Sequence, residues 1–306
     1  MLAPVKPHHA AGYRQSILFF HVPKTGGTSV KVAFQRVLGT KDTLASYEAD
    51  GNSDLECLVN QSAHSTSARI LLGHISPLTL STGSTFIRTT VLRDPIDHLV
   101  SFFCYNYQSR YEAPADLEFF RGCARYRDGR FSGDDVERWI KKFHRDNFQT
   151  RFLCSSYSEP VTAESAKDAE NALESCEIVG ITEELGLYMA ILAHVAGIDA
   201  PGPAHLNRSA HEIIDEDPRR LHDRLAPYVE LDSHLYALAR RRFEITKQEY
   251  GLALAPLVAD GTGDLTLYER LQSFYQISSQ ERRARVTRNL TILKNYTLEL
   301  LGSASQ

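Results

Sequence analysis

The sequence predicts an α/β fold in which a parallel sheet is flanked by helices. Short, nearly continuous apolar runs recur along the chain, and such runs are typical of strands buried on both faces. Turns and then apolar residues at helical spacing follow these runs. This alternation of strands and helices indicates a layered α/β architecture. The chain has 306 residues, of which 42% are hydrophobic, so a sizeable core is available.

The first unit begins with the apolar run at 16–22, which predicts a buried strand. Pro-Lys-Thr-Gly-Gly follows directly and predicts a tight turn. Apolar residues then recur at the spacing of one helix face, at Val30, Phe34, Val37 and Leu38. Gly39 is placed to end this helix. The predicted order is therefore strand, glycine loop, helix.

Two more strands are predicted at 69–74 and 86–92. After the second, Asp94 is a plausible helix N-cap and Pro95 fits the first helical position. The helix behind them is expected to bury one face, formed by Ile96, Leu99, Val100 and Phe103.

The second half of the chain continues the alternation and then becomes helical. Residues 162–176 predict a polar helix that leads into a strand at 177–181. A helical region begins near Ser233, and a stretch containing Pro and Gly interrupts it after residue 255. We therefore expect one domain over residues 1–255 and a helical C-terminal extension over 256–306.

The segment 110–151 is rich in basic and aromatic residues and includes the only tryptophan, Trp139, which makes it a candidate substrate-facing insertion. Its cations suggest a local basic groove for an anionic glycan, formed by Arg121, Arg125, Arg127, Arg130, Lys141, Lys142 and Arg145. The alternative is a solvated face, because acidic residues are interspersed at Asp134, Asp135 and Glu137.

Composition excludes several classes of protein. The formal net charge is −4 and no nucleic-acid recognition motif is present, which disfavours a nucleic-acid partner. Residues 1–16 lack the apolar run of a secretory signal, and no stretch approaches the roughly 20 apolar residues of a membrane span. The 5 cysteines are scattered without a C-x-x-C pair, which argues against a zinc site or a disulfide framework. A soluble, cytoplasmic protein without a bound metal is expected.

The segment 21–29, His-Val-Pro-Lys-Thr-Gly-Gly-Thr-Ser, predicts a phosphate-binding loop. Two glycines allow a tight turn, so that backbone N–H groups and the positive end of the following helix converge on one anion. The hydroxyls of Thr28 and Ser29 add donors. The candidate nucleotide-binding residues are Lys24, Thr25, Gly26, Gly27, Thr28 and Ser29. The alternative is a Gly-Gly turn that binds nothing.

Nucleoside triphosphate loops place the lysine after the glycines, next to a hydroxyl for Mg²⁺. Here Lys24 precedes them, and no strand ending in a magnesium-binding aspartate is evident. A magnesium-dependent kinase or NTPase is therefore the disfavoured alternative.

A second strand-to-helix junction, at 90–101, predicts a second phosphate site. Arg93 ends the strand, and Ser101 lies about two turns into the helix, so both side chains are expected on one side. An arginine fork and a serine hydroxyl suit an isolated phosphate. The alternative is a helix-capping salt bridge and a solvated serine.

These two segments together resemble the sulfotransferases that use 3′-phosphoadenosine-5′-phosphosulfate (PAPS), in particular the branch of heparan sulfate 2-O-sulfotransferases and related carbohydrate sulfotransferases. Further matches lie at 73–74, 147–153, 179–183 and 232–243, so the resemblance extends over about residues 16–250. It implies a P-loop-like fold, with the 5′-phosphosulfate at the first segment and the 3′-phosphate at the second.

In-line sulfuryl transfer needs a base for the acceptor hydroxyl and a cation for the departing phosphate oxygen. Lys24 is the candidate cation. His74 is the candidate base, because imidazole titrates near neutrality and the resemblance places a histidine in this Gly-His context. Relatives often show His-Gly-His, whereas Leu72 stands at the first position here. His21 and His98 are expected to be structural.

The predicted function is therefore sulfuryl transfer from PAPS to a hydroxyl, with a carbohydrate as the expected acceptor, leaving adenosine 3′,5′-bisphosphate. A catalytically silent nucleotide-binding scaffold is a further alternative, and self-association through the C-terminal helices stays open. Gln149 and Arg151 are interpreted either as orienting the sulfuryl group or, for Arg151, as pairing with an acid such as Glu183. The segment 205–209 resembles a loop that closes over the nucleotide.

Overall fold

The computed structural model describes residues 16–46, 70–78, 86–108, 114–155, 160–198 and 213–254. The chain divides into two units, residues 1–248 and 249–306. The predicted C-terminal extension at 256–306 and the segment 205–209 both lie outside the described residues.

Five parallel strands form one sheet, which confirms the predicted fold class. The strands are β1 (Ser16–Phe20), β2 (Thr43–Ser46), β3 (Ile70–Gly73), β4 (Phe86–Leu92) and β5 (Ile178–Ile181). Their order is β2-β3-β1-β4-β5, and each neighbouring pair is parallel. The side chains of β1 from Ile17 to Phe20 are fully buried, as expected for a central strand covered on both faces.

Nine helices are described beside the sheet, together with short 3₁₀ turns. They are α1 (Gly27–Leu38), α2 (Pro95–Gln108), α3 (Pro114–Arg121), α4 (Gly133–Phe143), α5 (Phe148–Leu153), α6 (Ala163–Glu174), α7 (Leu185–Ala196), α8 (Pro218–Leu225) and α9 (Glu230–Leu254). Among the described residues, none of these helices combines the length and apolar character needed to cross a membrane.

The helix boundaries follow the local signals of the sequence. Gly39 ends α1 with a positive φ of 87°, and its N–H donates to the backbone carbonyl of Gln35. The carboxylate of Asp94 accepts from the backbone N–H groups of Ile96 and Asp97, at 3.1 and 3.2 Å, and so caps α2 as predicted. These caps fix where each helix begins or ends relative to the strand before it.

Part of the segment 110–151 packs with α2 in a buried hydrophobic cluster. Its single tryptophan, Trp139, is fully buried. The indole meets Phe102 and Phe103 of α2 edge to face, with ring centroids 5.7 and 5.5 Å apart. Trp139 is therefore a core residue, and the prediction that the segment 110–151 faces a substrate stays a prediction for its exposed residues.

Acidic side chains balance part of the predicted basic groove. Arg125 pairs with Asp215, and the ammonium of Lys141 lies 2.6 Å from a carboxylate oxygen of Glu137. Arg145 instead packs over aromatic rings, with its guanidinium carbon 5.0 Å from the centre of Phe102. The ion pairs favour the alternative of a solvated face at Arg125 and Lys141.

Candidate functional site

The predicted site residues follow strands that end at one edge of the sheet. In a parallel sheet all carboxyl ends lie at the same edge. The loop 21–26 follows β1, His74 follows β3, and Arg93 follows β4. β3 and β4 pair with opposite sides of β1, so the strand order switches from one side of β1 to the other. Open α/β sheets bind ligands in the crevice at such a switch point.

The loop after β1 has an unusual backbone at two positions. Gly26, with φ 98°, and Lys24, with φ 68°, are both left-handed. This conformation costs glycine little, but it is unfavourable for lysine, which carries a β-carbon. The surrounding contacts must therefore hold Lys24 in place.

The side chain of Thr25 stabilises the loop from inside. It is fully buried, and its hydroxyl donates to the carbonyl of Val22 at 2.8 Å. Its own carbonyl accepts from the hydroxyl of Thr182 at 2.7 Å. The same Thr182 hydroxyl lies 3.2 Å from the carbonyl of Leu92, and so links the loop to the end of β4. The hydrogen of the Thr25 hydroxyl is thus used within the protein. The remaining donor that Thr25 can offer to an anion is its backbone N–H.

Gly27 is required because a side chain would not fit at this position, and not because its φ is positive. A β-carbon at this position would overlap the imidazole ring of His21. His21 itself is nearly buried, and its backbone N–H donates to the carbonyl of Gly73 at 2.8 Å. The His21 ring therefore fills the place that a side chain at position 27 would take.

The first turn of α1 is open to an anion. The helix begins at Gly27 and has no acidic residue in its first turn. The first backbone N–H groups of a helix lack acceptors within that helix, and the helix dipole adds positive potential there. Thr28 is exposed and Ser29 is buried at this end. The predicted donors thus come together where a phosphate is favoured.

Arg93 lies beside the same loop. Its Nη1 donates to the carbonyl of Lys24, with a separation of 3.3 Å. The Lys24 ammonium lies 4.2 Å from the centre of the Tyr105 ring, and Tyr105 is 41% exposed. Burial and the charge of Arg93 lower the pKa of Lys24. The two cations predicted for separate phosphates are therefore close enough to repel each other, and a bound anion would relieve that repulsion.

Ser101, the other residue predicted for the second phosphate, lies on α2 and is 4% exposed. The structure therefore does not support the alternative of a solvated serine.

His74 is partly buried at the end of β3. Burial lowers its pKa from 6.5 to about 4. Burial is also the main reason that the pKa of His21 lies well below its usual value, and the nearby His74, Lys24 and Lys31 lower it further. Both rings are thus neutral at pH 7, and a neutral imidazole can accept a proton.

The backbone of Arg93 is held by Gln149, at the start of α5. The Gln149 carboxamide accepts from the Arg93 N–H at 3.0 Å and donates to the Arg93 carbonyl at 2.9 Å. Gln149 is fully buried. Both polar atoms of the Gln149 amide thus bind the backbone beside the second predicted phosphate site.

Arg151 is buried and forms an ion pair with an acid, which agrees with the second of its two interpretations. The acid is Asp146 and not Glu183. Its Nη2 lies 2.9 Å from both Asp146 carboxylate oxygens. Glu183 instead accepts from the backbone N–H of Asp94 at 2.9 Å and from the Tyr236 hydroxyl at 2.8 Å. Arg151 is therefore a structural residue of α5.

Sequence reasoning missed how α5 and α9 support each other. Asp232 lies in the first turn of α9, where it would be expected to cap its own helix. Its carboxylate accepts instead from the N–H groups of Gln149 and Thr150, at 3.1 and 2.7 Å. In return, the Asn147 side-chain oxygen accepts from the Asp232 N–H at 3.2 Å. The only local signal, an acid in a first turn, points to the wrong helix.

The arrangement combines cations, the N–H groups at a helix N-terminus and a neutral imidazole at one edge of the sheet. Groups of these types are suited to binding an anion and accepting a proton. Among the described residues, no group of three or more His, Cys, Asp and Glu side chains is placed to hold a metal ion.

Comparison with known families gives one match. The model of the Sulfotransferase family matches residues 11–172, which are just over half of the 306-residue chain. The matched part includes both loops, His74 and Arg93. A search of the curated proteins found no match.

Proposed function

The chain belongs to the Sulfotransferase family, and from that membership we propose that it moves a sulfuryl group from PAPS to a hydroxyl of a carbohydrate. The choice of PAPS as donor is supported by two phosphate-type loops at neighbouring strand ends. The choice of a carbohydrate acceptor, and of the branch of heparan sulfate 2-O-sulfotransferases, rests on the resemblance of those two segments.

The observation that carries the proposal is the contact between the two loops. Arg93 donates to the Lys24 carbonyl at 3.3 Å, so the loops after β1 and β4 meet. A nucleotide with phosphates at its 5′ and 3′ ends fits two such adjoining anion sites. The open first turn of α1 suits the 5′ end, and Arg93 with Ser101 suits the 3′-phosphate.

PAPS would supply an activated sulfuryl group and a phosphate leaving group. The residues of the chain then have three tasks. His74 takes the proton of the acceptor hydroxyl as its oxygen bonds to sulfur. Lys24 neutralises the charge that the bridging oxygen gains as its bond to sulfur breaks. The N–H groups of Gly27 and Thr28 orient the anionic end of the donor.

The low pKa of His74 is compatible with its role as a base. At a pKa of about 4 the ring is neutral at pH 7 but weakly basic. A polyanion bound beside it favours the protonated form and raises its pKa toward neutrality. Donor binding would thus strengthen the base when it is needed.

The proposal is tested by a transfer screen with radiolabelled PAPS against polysaccharides, glycolipids and small alcohols, with Lys24→Ala as the matched blank. We expect label on a carbohydrate fraction for the wild type alone. Calorimetry with EDTA should show binding of adenosine 3′,5′-bisphosphate. Binding of ATP only with Mg²⁺ would favour a kinase, and nucleotide binding without any transfer would favour a silent scaffold. Label found only on an alcohol or a lipid would contradict the carbohydrate acceptor but support sulfuryl transfer from PAPS.

A further inference from the structure

His98 takes no part in the proposed transfer, yet it contacts the phosphate loop directly. It lies on α2 and is fully buried. Its backbone N–H donates to the Asp94 carbonyl at 2.8 Å. Its ring stacks on Phe148, with centroids 5.8 Å apart and an interplanar angle of 23°. The imidazole is therefore held at a fixed position relative to the end of β4.

The contact is between Nε2 of His98 and the carbonyl oxygen of Pro23, at 2.8 Å. That carbonyl belongs to the peptide that joins Pro23 to Lys24, so its direction is coupled to the φ of Lys24. The next carbonyl, that of Lys24 itself, accepts from Arg93 at 3.3 Å. Side chains from the segment 93–98 thus hold the peptides on both sides of Lys24.

This double contact explains how Lys24 keeps a φ of 68°. The left-handed region is unfavourable for a residue with a β-carbon, and it persists only where surrounding contacts enforce it. Resting on the role proposed above for Lys24, we infer that His98 is a positioning residue, which holds the Pro23 carbonyl and thereby fixes the direction of the Lys24 side chain.

The chemistry of the ring agrees with this role. A carbonyl oxygen only accepts, so Nε2 must carry the hydrogen. Nδ1 is buried and has no hydrogen-bond partner within the described ranges. Burial, the largest cause, lowers the pKa of His98 to about 3. The ring is therefore a neutral donor with one fixed tautomer throughout the working range of pH.

Two variants separate the donor from the packing. His98→Leu removes the donor and keeps an apolar side chain against Phe148. His98→Gln places an amide donor at a similar distance from the backbone. Ile140→Val is the matched control, since Ile140 lies in the buried cluster that includes Phe148 and is not part of the site.

Steady-state rates with PAPS and amide hydrogen exchange at residues 22–30 are measured for all four proteins. We expect His98→Leu to lower kcat about 10-fold or more, because small misplacements of a catalytic group are costly, with KM for PAPS changed less than about 3-fold. Its loop amides should exchange faster without nucleotide. His98→Gln should recover most of both properties, and Ile140→Val should match the wild type.

The inference would be overturned if His98→Leu had the kcat and the loop exchange of the wild type. It would also be overturned if His98→Gln lost as much kcat as His98→Leu and exchanged its loop amides as fast. If the wild type transfers no sulfuryl group at all, the proposed function fails. The positioning role of His98 is then tested by amide exchange in the loop alone. Faster exchange in His98→Leu than in His98→Gln then supports the positioning role, and equal exchange in all four proteins rejects it.

Discussion

The imidazole rings of His21 and His74 lie 4.8 Å apart between centroids and are tilted by 49°. They directly follow β1 and β3, two neighbouring parallel strands in which Phe20 pairs with Gly73. The resemblance described above leads one to expect His-Gly-His at 72–74. Leu72 stands at the first of those positions and is fully buried. An imidazole beside His74 therefore comes from the residue directly after β1.

The contact of His21 with Gly27 predicts a compensating pair of substitutions. Gly27→Ala should destabilise the protein by about 1–3 kcal/mol, because the new methyl group overlaps the His21 ring. Adding His21→Ala should remove the overlap, so the double variant should be more stable than the sum of the single effects predicts. Urea unfolding of the wild type and the three variants measures this coupling. Additive effects would show that the ring moves aside freely.

The sequence was sufficient to predict four of the five described strands and the helix boundaries at Gly39 and Asp94, because their causes are local, whereas β2 was not predicted. An apolar run between turns predicts a buried strand, and Asp94-Pro95 predicts where α2 begins. Trp139 shows the limit of such reasoning. An aromatic among basic residues suggests a binding surface, and only the packing of α2 against α4 shows that the indole is buried.

Lys24 and Arg93 are expected to fail in different ways when truncated. Lys24→Ala should lower kcat by about 100-fold or more, because charge on the leaving oxygen develops only in the transition state. Arg93→Ala should weaken binding of adenosine 3′,5′-bisphosphate by about 10-fold or more, since it removes a charge-assisted contact to a phosphate. It should lower kcat less than Lys24→Ala does, through the lost contact to the Lys24 carbonyl. Steady-state kinetics and calorimetry separate the two effects. Equal, small losses in both variants would contradict these roles.

His74→Ala should abolish transfer while nucleotide binding is retained, because the base contacts the acceptor and not the phosphates. The wild type should lose kcat as pH falls and the ring becomes protonated. The apparent pKa in kcat should lie above the value of about 4 that burial gives the ring in the free protein, since the bound anion raises it. A His74→Ala variant with wild-type transfer would send the search for a base elsewhere.

The site was partly predictable from sequence for a physical reason. His74 and Arg93 stand directly after a strand, Lys24 lies in the loop that follows β1, and parallel strands bring such positions to one edge. The supports of the site are not encoded in this way. Gln149 and Asp232 act across 56 and 82 to 83 residues of chain, and which atoms they meet depends on how helices pack. A polar residue near a helix end carries no information about a distant partner.

The buried histidines predict how stability depends on pH. The folded-state pKa is about 3 for His98 and about 4 for His74, whereas an exposed imidazole titrates near 6.5. Below about pH 6.5 these imidazoles are therefore protonated in the unfolded chain but not in the folded protein. The free energy of unfolding falls as the pH is lowered. Asp232 opposes this in part, because burial raises its pKa to about 6, so the folded state gains a proton first there.

The contribution of His98 can be isolated with His98→Gln, whose amide does not titrate. Between pH 7 and pH 5 the wild type should lose about 2 kcal/mol more stability than this variant, which is the free energy of protonating one imidazole in the unfolded state alone. Urea unfolding at the two pH values measures the difference. The same loss in both proteins would mean that His98 takes up its proton in the folded state, and that its ring is more accessible to solvent than its burial indicates.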